Sequence, residues 1–123
     1  MTDFRILPAI TCISKKHIQK IRECHSLGVK EAALFLTTLE KTERQACYRE
    51  LEQSGLITLP IVHLRSDMEA EELAYFCQRW QVQAFNVHSA ISHPFSHDQS
   101  RFRQMIYLEN SEGFEIAELK KWG

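Results

Sequence analysis

The chain has 123 residues, 44% of them hydrophobic, and a formal net charge of −1. That fits one globular domain with a core of its own, and it offers no general electrostatic attraction to nucleic acid or to an anionic membrane. No apolar run approaches the ~20 residues of a membrane helix, and residues 1–13, with one arginine and only short apolar pieces, lack the pattern of a secretory signal, so the expected compartment is cytoplasmic.

A first strand is expected over residues 4–10. Ser14 then suits the N-cap of a helix reaching Ser26, with Ile18, Ile21 and either Cys24 or His25 on one face. Gly28 suits a left-handed C-cap. A second strand begins at Val29 or Glu31 and runs to Leu36, and a second helix covers residues 40–53, closed by Gly55. The third strand is expected over residues 57–63. Pro60 is awkward inside it, because proline has no N–H to give to a ladder. Ser66 to Glu69 has the S-x-x-E form of a capping box, and a third helix follows to Trp80. A fourth strand over residues 82–87 leads into a loop containing His93-Pro94. A short helix over residues 98–102, a fifth strand over 105–108, a loop over 110–113 and a last helical turn over 116–121 complete the chain.

Strands alternating with amphipathic helices argue for an α/β fold with a parallel sheet. The sheet is expected to run in the order 1-2-3-4-5, with helices on one outer face, as right-handed crossovers require. Periodicity alone does not separate such a half-barrel from an open, doubly wound sheet.

Polar residues collect at the strand ends, where parallel sheets place their chemistry. His63 ends the third strand, His88 the fourth and Glu109 the fifth. Alternation along a strand groups His63 with Ile61 and Leu59, His88 with Asn86 and Ala84, and Glu109 with Tyr107 and Met105. Val62, Phe85, Val87, Ile106 and Leu108 are left to face helices. All three polar side chains are then directed at one rim. Two imidazoles and a carboxylate suit Zn²⁺, Mn²⁺ or Co²⁺. Any one of them alone is more often an ordinary hydrogen-bonded residue; three at successive strand ends carry more weight. Arg65 in the same rim suits an anionic or polyhydroxyl substrate, or is a solvated loop charge, and Asp67 suits the start of the following helix. His93-x-x-x-His97 has a metal-like spacing but falls in a loop. Cys12, Cys24, Cys47 and Cys77 form no CxxC pair and read as reduced, partly buried thiols.

The segments Ile61-Val62-His63-Leu64-Arg65, Phe85-Asn86-Val87-His88-Ser89 and Ile106-Tyr107-Leu108-Glu109-Asn110 resemble three strand ends of the xylose isomerase-like TIM barrels. That superfamily includes sugar and sugar-phosphate isomerases and epimerases, hydroxypyruvate isomerases and the endonuclease IV group of AP endonucleases. Leu108-Glu109-Asn110-Ser111-Glu112-Gly113 resembles the strand-five motif whose glutamate is a metal ligand in both branches. The resemblance implies His63, His88 and Glu109 as metal ligands, Glu109 as the catalytic carboxylate, and Arg65, Asn86 and Asn110 as substrate-binding residues. It spans nearly the whole chain but only half of the family's fold, since a full barrel takes ~250 residues. The expectation is therefore one half-barrel domain over residues 1–123, incomplete at its C-terminus, without the family's remaining Asp, His and Glu ligands.

The implied activity is metal-dependent proton transfer on a small carbohydrate or hydroxy-carbonyl substrate in the complete protein. The divalent metal is held weakly or not at all by this chain alone, and open barrel edges favour self-association. One alternative is a non-catalytic fragment or binding module of the same fold. Another is metal-dependent phosphodiester cleavage, as in the endonucleases. A balance of 15 basic to 16 acidic residues disfavours the nucleic-acid partner this last reading needs.

Overall fold

A computed structural model describes residues 7–87 and 94–108. Each helix forms around one stripe at three- and four-residue spacing. The stripe is His17, Ile21 and Cys24 in α1 (His17–Ser26). It is Arg44, Cys47 and Leu51 in α2 (Lys41–Glu52), and Leu73 and Phe76 in α3 (Ala70–Arg79). Between them lie the strands β1 (Ala9–Ile10), β2 (Glu31–Phe35), β3 (Thr58–His63), β4 (Ala84–Val87) and β5 (Ile106–Leu108). They form one five-stranded sheet in the order β1-β2-β3-β4-β5, and every neighbouring pair is parallel.

The helices lie side by side in the same order. Arg22 on α1 pairs with Glu50 on α2 at 2.7 Å, and Lys41 and Glu52 on α2 pair with Glu69 and Arg79 of the α3 unit at 2.9 and 2.7 Å. Such exposed pairs contribute at most about 1 kcal/mol each; their value here is to report which helices are neighbours. A doubly wound sheet reverses its strand order at a switch point. This one does not, so the fold is the expected partial β/α barrel.

One row of side chains ties the layers together. Ile10, Leu34, Val62, Phe85 and Ile106 are register partners across all five strands, and all are buried in the same core as Ile21, Cys47, Leu51, Leu73 and Phe76. Burying a side chain of this size stabilises by roughly 1.5–3 kcal/mol. Alternation then sends Ala33, Ile61 and Ala84, and beyond them Phe35, His63, Asn86 and Tyr107, to the opposite face.

Pro60 is accommodated by an irregularity. Glu31 pairs with Thr58 but Ala33 pairs with Ile61, so β3 carries one extra residue at this point. The bulge absorbs the missing donor. The Pro60 carbonyl still accepts from Gln83 N–H at 2.8 Å, and Leu59 N–H donates to the Trp80 carbonyl at 3.0 Å. The bulge also corrects the expected facing of Leu59. It is fully buried in the helix-side core, while Thr58 stays on the open face and donates its hydroxyl to Glu31 at 3.1 Å. Met105 is corrected likewise. It closes the 3₁₀ turn Ser100–Met105 before β5, and its Sδ lies 3.8 Å from Cys77 Sγ on α3.

Two helix starts differ from expectation. Ser14 does not cap α1; it sits with φ 59° in the 3₁₀ turn Ile13–Lys15, and α1 begins at His17. The capping box before α3 is Glu69 with Glu72, three residues later than the Ser66–Glu69 box. Ser66 is engaged elsewhere, its carbonyl accepting Ser96 N–H at 2.9 Å. Gly28 (φ 69°) and Gly55 (φ 79°) adopt the left-handed conformation their places after α1 and α2 require.

Arg44 is the polar member of the α2 stripe, and its side chain is fully buried. Nε and Nη2 donate to the two carboxylate oxygens of Glu72 at 2.8 and 3.0 Å. Nη1 donates to Asp67 Oδ1 and to the Leu39 carbonyl, each at 3.0 Å. Tyr48 donates its hydroxyl to Glu72 at 2.7 Å. Burial pushes the Glu72 carboxyl up, but hydrogen bonds from Arg44, Glu69 N–H and Tyr48 outweigh it and hold the group below its ordinary value. Arg44→Met leaves these carboxylates without their partner and is expected to cost about 3–5 kcal/mol, with Arg44→Lys recovering only part because an ammonium cannot make the two-pronged contact. Urea denaturation measures both. Glu72 is depressed in the folded state, so its contribution is present above the unfolded pKa and lost as pH falls through the folded one. The gap between wild type and Arg44→Met should therefore narrow in acid.

Candidate functional site

The open face ends in a row of four side chains: Phe35, His63, Asn86 and Tyr107, one each from β2 to β5. They stand at or beside the C-terminal ends of their strands. His63, the last residue of β3, is 3% exposed. Its ring stacks on Phe35, with 5.6 Å between centroids and 21° between planes. Asn86 is half-buried and Tyr107 is 56% exposed. The carbonyls of His63 and Asn86 accept Leu36 N–H at 3.1 Å and Leu64 N–H at 2.8 Å, so the ladder holds the backbone up to this row.

Of the site residues expected from sequence, His63 and Asn86 are brought together as register partners on one face. Arg65 follows in the rim loop. Its Nε forms an ion pair with Asp67 Oδ1 at 3.2 Å, and Asp67 also accepts a hydrogen bond from Arg44. Asp67 thus bridges two arginines; Glu69, not Asp67, caps α3. His88, Glu109 and Asn110 lie outside the described residues, as does His93. His97 is exposed in a loop. Among the described residues, no group of three or more His, Cys, Asp or Glu is placed to hold a metal ion. By donor chemistry, two imidazoles and a carboxylate fit Zn²⁺, Mn²⁺ or Co²⁺. His63 is the member of that set within the described residues, and it stands on the face the set requires.

The rim loops are cross-tied. After β1 and β2, Thr38 Oγ1 donates to the Cys12 carbonyl at 3.0 Å, and Lys15 Nζ donates to the Thr38 carbonyl at 2.6 Å and to Glu43 at 2.9 Å. After β3 and β4, Gln99 Nε2 donates to the Met68 carbonyl at 2.7 Å. The four cysteines are free thiols, as expected. Burial pushes Cys47 up to about 12 and raises Cys24 and Cys77, which keeps these three protonated and poor nucleophiles at neutral pH.

His17 went unnoticed in the sequence although it occupies the stripe position four residues before Ile21. It is 6% exposed, and its Nδ1 has no hydrogen-bond partner. Burial lowers its pKa from the ordinary 6.5, opposed by Glu43 and reinforced by Lys15. Its place at the positive end of α1 also disfavours a cation.

Comparison with protein-family models, with curated proteins and with solved structures finds no match to this chain. No helix among the described residues is long and apolar enough to cross a membrane.

Because the folded pKa of His17 lies below its unfolded value, the unfolded chain binds a proton that the folded chain refuses. The resulting contribution is complete above the ordinary histidine range and declines as pH falls below it. Urea midpoints compared at about pH 7.5 and about pH 5.5 should drop less for His17→Leu than for wild type. An equal drop in both proteins would remove His17 from the account.

Proposed function

We propose that this partial barrel belongs to a cytoplasmic isomerase or epimerase that moves a proton on a small carbohydrate or hydroxy-carbonyl compound with the help of a divalent metal. The observation that carries the reading is the His63–Asn86–Tyr107 register row. His88 and Glu109 follow Asn86 and Tyr107 by two residues in the sequence. Strand ends on that side are where barrels of this winding act on their substrates.

In this reading His63, His88 and Glu109 hold the metal, which supplies Lewis acidity toward a carbonyl oxygen. Asn86 and Asn110 offer amide donors and acceptors to hydroxyl groups. Arg65 is ion-paired with Asp67 and offers guanidinium donors to a hydroxyl or phosphate oxygen. A carboxylate takes the proton from the carbon beside the carbonyl. It returns the proton to the neighbouring carbon in isomerisation; in epimerisation it keeps that proton, and a separate acid on the opposite face protonates the same carbon. Glu109 anchors the metal, so a second carboxylate facing it is needed for that transfer. The second reading, a non-catalytic binding module, draws on the deep burial of His63 and its stack on Phe35, which suit a core residue as well as a ligand.

The test is solvent deuterium exchange followed by NMR, using a panel of aldoses, ketoses and hydroxy-ketones with Zn²⁺, Mn²⁺ or Co²⁺. Metal-dependent deuterium incorporation beside the carbonyl, lost in Glu109→Gln and His63→Asn, is the expected result. No incorporation with any of the metals favours the binding module. A site with few ligands and an incomplete supporting shell binds weakly, so calorimetric titration of Mn²⁺ should give a Kd on the order of 1 μM or weaker. Nanomolar affinity in the isolated monomer would mean that the ligand set is already complete.

A further inference from the structure

Arg44 and Glu72 join α2 to α3 beneath the helix surface, but above them the two helices leave a groove of about 410 Å³. That volume lies within the ~300–1,000 Å³ typical of small-molecule sites. Two tyrosine rings line it, one from each helix. Tyr48 and Tyr75 stand 5.3 Å apart between centroids, with 41° between their planes. Both hydroxyls are tied down, Tyr48 donating to Glu72 at 2.7 Å and Tyr75 to Glu52 at 2.6 Å. Tyr48 also meets the buried Phe76 edge-on, at 5.3 Å between centroids. The rings are therefore held in place before any ligand arrives, which lowers the entropy lost on binding.

The charges along the groove fall into two sets. The carboxylates of Glu52, Glu69 and Glu72 are already taken, by Arg79 at 2.7 Å, Lys41 at 2.9 Å and Arg44 at 2.8 Å. Arg49 of α2 and Glu71 of α3 line the same groove, are exposed, and have no ion-pair or hydrogen-bond partner among the described residues. They do not meet because of how the helices are aligned. Paired residues on the two helices differ by 27 or 28 in number, so Arg49 is level with Cys77, well beyond Glu71. That offset is about 9 Å along the helix axis. Opposite charges are thus left apart along the groove, with Tyr75 between them.

A molecule that matches this pattern carries a carboxylate for Arg49, an ammonium for Glu71, and an apolar chain to cover the rings between. A guanidinium meets a carboxylate through two parallel hydrogen bonds, and laying methylenes on the rings removes apolar surface from water. An α-amino acid does not match, because both of its charges sit at one end. We propose that the groove between α2 and α3 binds a straight-chain ω-amino carboxylate. The site lies in the helix layer, uses none of the rim residues His63, Asn86 or Tyr107, and needs no metal. It is independent of the activity proposed above.

NMR titration of the isotopically labelled full chain without metal tests it. The probes are 6-aminohexanoate, its isomer 2-aminohexanoate, hexanoate and hexylamine. The first should shift the Tyr48 and Tyr75 ring resonances saturably, with a Kd on the order of 1 mM. The other three should bind about fivefold more weakly or worse, as the loss of one exposed ion pair allows. Arg49→Gln and Glu71→Gln should each weaken 6-aminohexanoate by about the same factor, with circular dichroism unchanged. Arg49→Lys, which keeps the positive charge, should retain most of the affinity. Shifts that do not saturate by about 10 mM, or that miss both tyrosines, overturn the proposal. So does equal affinity for 2-aminohexanoate or for either singly charged probe, or wild-type affinity in Arg49→Gln or Glu71→Gln.

Discussion

The burial of Ile10, Leu34, Val62, Phe85 and Ile106 against the helices is the constraint from which the rest of the structure follows. Side chains alternate strictly along a strand. Once these five face the helix layer, their neighbours Phe35, His63, Asn86 and Tyr107 are forced onto the opposite face. No separate device is needed to gather polar residues at one rim; the hydrophobic demand of the core does it. The bulge at Pro60 has a part in this. By adding one residue to β3, it lets Leu59 join the helix-side core without turning His63 away from the open face.

The helix layer is fixed by a polar centre within apolar surroundings. Arg44, Glu72, Asp67 and Tyr48 join α2 to the start of α3 through hydrogen bonds that satisfy nearly every donor of a fully buried guanidinium. Buried ion pairs of this kind add less net stability than their geometry implies, because desolvation offsets the attraction. Their effect is on register. A fork of donors meets a carboxylate in one orientation, which sets how α2 sits against α3 and hence where β3 and β4 end. Asp67 carries this order to the rim, since it is ion-paired with both Arg44 and Arg65.

Much of the architecture was legible in the sequence because it rests on periodicity. The alternation of strands and helices, the ends of β3 and β4, the facing of Val62, Phe85 and Ile106, and the glycine stops at Gly28 and Gly55 follow from local rules. What was not legible depends on tertiary partners. Ser14 matches an N-cap by residue type, yet Lys15 reaches across to Thr38 and Glu43 and the turn before α1 is left-handed. The S-x-x-E pattern at Ser66 lost to Glu69 and Glu72, whose carboxylates close a reciprocal box. Arg44 and His17 look like surface residues by type, and only their positions on the stripes with Cys47 and Leu51, and with Ile21 and Cys24, mark them as buried. At the rim, parity placed His63 and Asn86 on the correct face. The pairing of Arg65 with Asp67 was invisible, because it depends on how a loop folds back toward α2.

The central claim is that the chemistry of this chain lies at the C-terminal ends of its strands, on the face opposite the helices. Mn²⁺ titration of the isotopically labelled protein, read as paramagnetic broadening of assigned NMR resonances, tests it most directly. The account predicts that His63, Asn86 and Tyr107 broaden first and together, ahead of the acidic residues on the helix surface such as Glu50 and Glu71. Broadening that begins at those surface carboxylates and leaves the His63–Asn86–Tyr107 row sharp would contradict it.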